Sequence, residues 1–421
     1  VIRRGLVDLR PLRAETAFRR LWAGSSASSF GAQFLTLAVL FQVWEQTGSP
    51  LWTGAVGLVS GISMIVGGLA GGALADSRDR RIVICTTTLG QVLTAAGITA
   101  QAATGVESVG LVLALVGLNS LCGGLGAASG RSLPARLLQR DLLPAGIALT
   151  HLSFQGAMLL GPALGGVLIG AAGLTACYAA VVATKLLALY AAWRLPPVPP
   201  AGSGTHRGLA MTWQGLRYVV RPGAVRGAFG TDLFASLLAF PIALFPMIND
   251  LRLGGSPETL GLMSSALAAG GIVASLCSGA VTNSGRLGLV QSGAATVWCL
   301  ALAGFGLATE IWLLLAVLVV AGAADTVSVI ARGSLVQIAV PDSYRGRVSA
   351  VDHVIGAAGP NLGNARAGVV AAVVGAPAAL VGGSALGLLG ITWIALRNRK
   401  LRTFNARDAA DPDNEQSQGE P

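Results

Sequence analysis

Long apolar blocks alternate along the chain with short stretches that hold its charges. Leu51 to Ala75, Leu111 to Gly130, Ile147 to Gly170 and Trp312 to Ala324 carry few or no charged residues. A helix needs ~20 mostly apolar residues to cross the hydrocarbon core of a bilayer. Reading the blocks between charged or Pro/Gly-rich breaks predicts twelve spans, at residues 20–45, 51–75, 82–104, 108–130, 147–171, 174–194, 226–248, 257–281, 287–307, 311–334, 347–373 and 376–397. The expected fold class is an all-α polytopic membrane protein whose 12 transmembrane helices form two pseudo-symmetric six-helix bundles. The breaks divide the chain into a basic cytosolic segment (1–19), a first bundle (20–195), a cytosolic linker with an interfacial helix around Trp213, Leu216 and Tyr218 (196–225), a second bundle (226–397) and a disordered cytosolic tail (398–421).

Composition narrows the class further. The 421 residues are 53% hydrophobic and only 11% charged, which excludes a disordered chain, a coiled coil and an ordinary soluble enzyme. The net charge is +10, yet the cations sit between apolar blocks and not on one soluble face, so no nucleic-acid partner is expected. All but three of the 29 Lys and Arg residues fall on one side when the N-terminus is placed inside. The exceptions are Arg252, on the opposite side, and Lys185 and Arg366, within spans. The positive-inside rule therefore places both termini in the cytosol. Only Lys185 and Lys400 are lysines, a bias that suggests a GC-rich bacterial genome and hence a bacterial cytoplasmic (inner) membrane. The five cysteines lie in predicted spans and show no CxxC or His/Cys spacing, so no metal, cofactor or disulfide is expected. No Walker A string, nucleophile elbow or HExxH occurs, so an enzyme is not expected and transport energy must come from an ion gradient.

The two halves look duplicated. Gly54 to Gly72 and Gly261 to Gly279 span equal intervals. At a second offset, Ser132-Leu133 matches Ser334-Leu335, His151 matches His353, and Gly161 to Gly166 matches Gly363 to Gly368. Internal repeats of this kind mark secondary transporters, with the substrate bound near midplane.

Two motifs carry the resemblance to a known family. The first is Gly71-Gly72-Ala-Leu-Ala-Asp76-Ser-Arg78-Asp79-Arg80-Arg81, between spans two and three. Small residues let helices approach closely, and Asp76 can meet a helix N-terminus. The second is Gly161-Pro162-Ala-Leu-Gly165-Gly166 in span five, where proline removes a backbone hydrogen bond and glycines flatten a helix face. The first resembles the loop motif of the major facilitator superfamily, and the second is similar to the antiporter motif of its exporters. The resemblance implies the major facilitator fold, a conformational latch at Gly72, Asp76, Arg78, Arg80 and Arg81, and outward transport. Three further strings are similar to the enterobactin-exporter and macrolide-efflux branch: Ala17-Phe-Arg-Arg-Leu-Trp22, Gly48-Ser-Pro-Leu-Trp-Thr-Gly54 and Arg345-Gly-Arg-Val348. The arginine that proton-coupled drug exporters carry in span four is missing; Asn119 or Ser120 lies near its place.

Ionisable groups within spans cost about 2.5–3.5 kcal/mol at the bilayer centre, so they face a cavity or a partner. The resemblance implies that spans one, four, seven and ten line the cavity. Candidate cavity residues are Gln33, Asn119, Asp232, Asp325 and Arg366. Candidate proton carriers are Asp325, Asp232, Asp352 and His353. Asp325 is open to several readings: a titrating carboxylate, one paired with Arg332, or one hydrogen-bonded to a neighbouring Ser or Thr. Asp352, Gly356, Gly359, Gly363 and Arg366 share one face of span eleven, either a packing groove or a substrate path; Arg366 would suit an anionic ligand. His151 and His353 occupy equivalent positions, and Lys185 receives no role. The expected function is export of a small amphipathic molecule by alternating access, coupled to protons, with a siderophore favoured over a macrolide or multidrug substrate. An importer and a non-transporting sensor are the other classes. The partners expected are the substrate, the lipid bilayer and protons, with no obligate protein partner.

Overall fold

The computed structural model describes residues 8–199 and 208–405, which are helical with short connections and hold no strand. Ten helices among them are long and apolar enough to cross a membrane. The expected twelve differ from these ten in two places. Spans five and six form one element, Leu143–Trp193, of 51 residues. At ~1.5 Å per residue it would be more than twice as long as the ~30 Å hydrocarbon core is thick. Gly173 interrupts it, with φ 83° and ψ 170°, a conformation open to glycine and closed to residues with a Cβ. The contacts with span one (Thr16–Thr47) show what the break does. Phe18, Gln33 and Leu37 meet Gly146, Gly161 and Gly165 in parallel order, whereas Gly24 and Gly31 meet Ala191 and Thr184 in antiparallel order. The chain thus turns back at Gly173, and both arms pack on span one.

The second difference is span eleven, Asp342–Val374. Its 33 residues are long enough to cross, but Asp342, Arg345, Arg347, Asp352 and Arg366 lower its hydropathy below that of the other ten. It ends at Gly375, with φ 83° and ψ 159°. Gly173 and Gly375 are 202 positions apart and share one backbone conformation, the same offset as His151 to His353. The duplication read from side chains therefore recurs in the backbone turns between spans five and six and between spans eleven and twelve.

The chain divides into two compact units, one made of residues up to 208 together with 249–265, the other of 209–248 and 266 onward. The start of span eight (Pro257–Leu276) thus joins the first unit, a segment the sequence reading grouped with the second bundle. The antiporter-like motif is the reason. Gly166 lies against the Pro257 carbonyl and Gly261 against the Pro162 carbonyl. Pro162 has no N–H and disturbs the helical ladder around it; the Ala163 N–H instead donates to Ser265 Oγ at 3.1 Å.

In the second unit, span seven is broken. Ala224–Ala239 gives way at Pro241 to a 3-10 turn, Ile242–Leu244, and then Phe245–Leu253. The freed Ala243 N–H donates to Asn364 Oδ1 of span eleven at 2.9 Å. Gly359 and Gly363 receive Ser236 and Phe240 of span seven, while Gly356 meets nothing. The upper part of the span-eleven glycine face is therefore a packing groove. The linker helix expected around Trp213 is present as Gly208–Val219, and its Tyr218 stacks on Tyr344 with ring centroids 5.0 Å apart. The first residues of the expected disordered tail are ordered: Arg399–Arg402 is helical, Leu401 is buried, and Asn398 donates to the Gly223 carbonyl at 2.8 Å. Residues 406–421 lie outside the described residues.

Candidate functional site

The loop motif folds as a cap. Span two ends at Ser77, and Asp79 opens span three (Arg80–Thr104) by accepting the Arg81 N–H at 2.8 Å. The same carboxylate accepts the Val198 N–H at 3.1 Å, and the Arg80 N–H donates to the Val198 carbonyl at 3.1 Å. Arg81 reaches the Trp193 carbonyl at 2.6 Å, satisfying the exposed end of span six. The motif therefore ties the span-three entrance to the start of the central linker through Asp79, a residue the candidate latch omitted. Arg80 is buried, while Asp76 and Arg78 are exposed and form no ion pair among the described residues. Gly67 and Gly71 bring span two onto the Leu121 and Leu125 carbonyls of span four; Gly72 itself meets nothing.

A cavity of about 630 Å³ opens in the first unit between spans one, three, four, five and six. Ser25, Ser28 and Ser29 of span one line it, with Gln91, Arg131 and His151. Gln33 is not on this wall; it packs against Gly161. Asn119 is buried, donating to Thr94 Oγ1 at 2.8 Å and to the Gln91 carbonyl at 3.2 Å, so it joins spans three and four instead of facing the cavity. Behind the wall lies Lys185, 3% exposed, whose ammonium donates to Ser28 Oγ at 2.8 Å and Gln91 Oε1 at 3.1 Å.

The second unit holds a different arrangement. Arg332 of span ten is buried and forms ion pairs with Asp232 of span seven and, at 3.1 Å, with Asp352 of span eleven. Its guanidinium also lies over the Phe229 ring, 5.8 Å from the centroid. The sequence reading counted Arg332 with the solvent-side cations, because it stands near the end of its predicted span. In the structure span ten runs on to Ala339, which carries Arg332 inside. Asp325 lies seven residues earlier on the same helix. It is exposed, with no hydrogen bond or ion pair among the described residues, so Arg332 pairs with the other two candidate carboxylates and not with it. Asp232, Asp325 and Asp352 thus belong to one neighbourhood around a single arginine. Arg366 stands apart from it, with its guanidinium against the bare backbone of Gly383 on span twelve. The side chain of His353 lies outside the described residues.

Sequence reasoning weighed Arg332 only as a partner of Asp325, gave Asp79 of the loop motif no role, and missed a buried polar chain at the other end of the first unit. There the Tyr178 hydroxyl donates to Gln42 Oε1 at 2.6 Å, and Gln42 Nε2 donates to Gln101 Oε1 at 2.9 Å. Each member is polar within a span, which was the available signal, but none is charged.

Comparison with known proteins agrees with this architecture. Residues 7–419 match the family described as Transmembrane secretion effector. The chain is 27% identical over 417 residues to the enterobactin exporter EntS of Citrobacter koseri, covering 95% of this chain and 96% of that one. It is also 27% identical over 409 residues to the EntS of Shigella boydii, covering 93% and 94%. Among solved structures, the nucleoside transporter NupG superposes with a TM-score of 0.73 at 14% identity, covering 90% of this chain and 99% of that one. A D-xylose-proton symporter does so with a TM-score of 0.69 at 14% identity, covering 91% and 98%. These two likenesses establish the fold. With a family match over nearly its whole length, helices throughout and the fold of these transporters, the chain belongs to the transmembrane secretion effector family of the major facilitator superfamily.

Proposed function

We propose that the protein exports a small amphipathic molecule across the bacterial cytoplasmic membrane by alternating access, driven by protons, with both termini in the cytosol. A siderophore is the favoured substrate, in keeping with the enterobactin exporters it resembles. The observation that carries the coupling lies in the second unit: Arg332 pairs with Asp232 and Asp352, and a third carboxylate, Asp325, stands unpaired seven residues earlier on the same helix. One guanidinium balances one carboxylate charge fully, so protonation of another is the least costly way to relieve the excess in a span. Asp325, exposed and without an ion pair, is the carrier in this reading. Asp232 and Asp352 hold Arg332, and release of either lets spans seven, ten and eleven shift. Asp76 and Arg78, both exposed, act with Gly72, Arg80 and Arg81 as the latch in the alternate state. The glycine approach around Pro162 is the part of span five that must slide.

The test is efflux. The gene is deleted, cells are starved of iron, and siderophore is measured inside and outside by mass spectrometry. Wild-type and Asp325→Asn complements are run alongside. Siderophore trapped in the deletion strain and in the Asp325→Asn complement is the expected result. Unchanged secretion by the deletion strain, in a host without a second exporter, would remove the siderophore assignment. Macrolide sensitivity of the same strain then tests the second reading, which rests on the macrolide-efflux resemblance.

A further inference from the structure

Lys185 is buried, with no acid paired to it among the described residues. Several kcal/mol of solvation are lost when an ammonium leaves water, and a carboxylate normally restores it. Arg332 has two carboxylates. Lys185 has only two neutral oxygens, Ser28 Oγ and Gln91 Oε1, and no ion pair among the described residues. A hydrogen bond from an ammonium to a neutral oxygen is charge-assisted, but it supplies no counter-charge. The lysine therefore stands in its pocket as an uncompensated positive charge.

Both of its acceptors line the cavity of about 630 Å³. Because Gln91 accepts from Lys185 through Oε1, its amide nitrogen points the other way, toward Gly123 on the cavity wall. Among the described residues that wall holds His151 and no aspartate or glutamate. A cation behind two polar side chains, an amide donor in front and an acid-free wall together make an anion site.

We propose that this cavity binds the acidic group of the transported molecule, a carboxylate or an ionised phenol, with Lys185 as its counter-charge through Gln91 and Ser28. This rests on the export reading and deepens it, because a cationic site favours an acidic chelator over a basic amine drug. Lys185 is a positioning residue here, held one side chain away from the ligand.

The test uses the purified full-length protein in lipid nanodiscs, titrated by calorimetry with 2-hydroxybenzoate and, separately, with its neutral methyl ester. Wild type is expected to bind the acid at least ten-fold more tightly than the ester. Lys185→Gln is expected to lose that preference. Gln91→Glu supplies an internal carboxylate to Lys185 and should abolish the preference while keeping the fold, which guards against a variant that merely unfolds. Ester binding should stay within two-fold throughout. Equal affinity for acid and ester in wild type, binding of neither probe, or an acid preference that survives both substitutions would overturn the site. The two readings fail separately. Lys185-dependent acid binding by a protein that moves no siderophore leaves the site standing and removes the export reading. Export without acid preference does the reverse.

Discussion

Two buried cations, one in each unit, meet the same electrostatic problem in opposite ways. Arg332 is surrounded: Asp232 and Asp352 reach it from two other spans, and Phe229 covers its face. Lys185 has only a serine and a glutamine. The repeat does not impose either arrangement. At the 202-residue offset that relates Gly173 to Gly375, Arg332 corresponds to Gly130 and Lys185 to Gly387. Each charge therefore belongs to one half alone. A cation matched by internal acids holds helices together, whereas an unmatched one waits for a charge from outside. The division fits a transporter in which one unit handles protons and the other the substrate.

Substitution separates the two cases most strongly at Arg332. Arg332→Met leaves two inward carboxylates without a counter-charge, and breaking such a buried pair costs about 3–5 kcal/mol. The expected outcome is a large loss of folded protein in detergent, read as thermal unfolding or as yield from the membrane. Lys185→Met should behave in the opposite way. It removes an unmatched charge and two hydrogen bonds, each worth roughly 0.5–1.5 kcal/mol or up to about 3 with a charged partner, so the terms nearly cancel and the unfolding temperature should hold or rise. If both variants lost stability equally, the contrast between the cations would be gone.

A second pair of tests concerns close packing. Gly166→Leu places a side chain where the Pro257 carbonyl stands. Overpacking of this kind costs about 1–3 kcal/mol; transport should fall well before expression does, measured as efflux per amount of protein. Gly72→Leu, at a position that meets nothing, should leave folding unchanged in the same assay. A modest loss is expected at Asp79. Asp79→Ala removes the cap on span three and the tie to Val198. It should lower stability by about 0.5–2 kcal/mol, seen as faster proteolysis at the central linker.

Much of the frame could be read from the chain because lipid-facing helices obey a local rule, an unbroken apolar length. The turn at Gly173 was legible as a boundary between spans five and six, and its non-helical backbone separates the two arms there. Pro162 and its glycines were read correctly as a close-packing element, but the partner, Gly261 with Ser265, lies about a hundred residues away and leaves no local trace. The same limit explains the charges. Asp232 and Asp352 were marked one by one, while Arg332 was weighed as a partner of Asp325, its neighbour on the same helix, and not of carboxylates on two other spans. Lys185 received no role because the informative fact about it, a missing acid neighbour, exists only in three dimensions. Asn119 looked like a cavity residue by analogy of position and is instead satisfied by Thr94.

Proton-driven movement in reconstituted vesicles tests the central claim most directly. The purified protein is placed in liposomes with a siderophore on the side facing the cytosolic termini, and a pH gradient is imposed with the opposite side acidic. Siderophore movement and internal pH are followed together. Expected is siderophore transport coupled to proton flow in wild type, abolished for both in Asp325→Asn while the variant remains folded. Siderophore movement that ignores the gradient, or an Asp325→Asn protein that still couples the two flows, would contradict the assignment of proton coupling to the second unit.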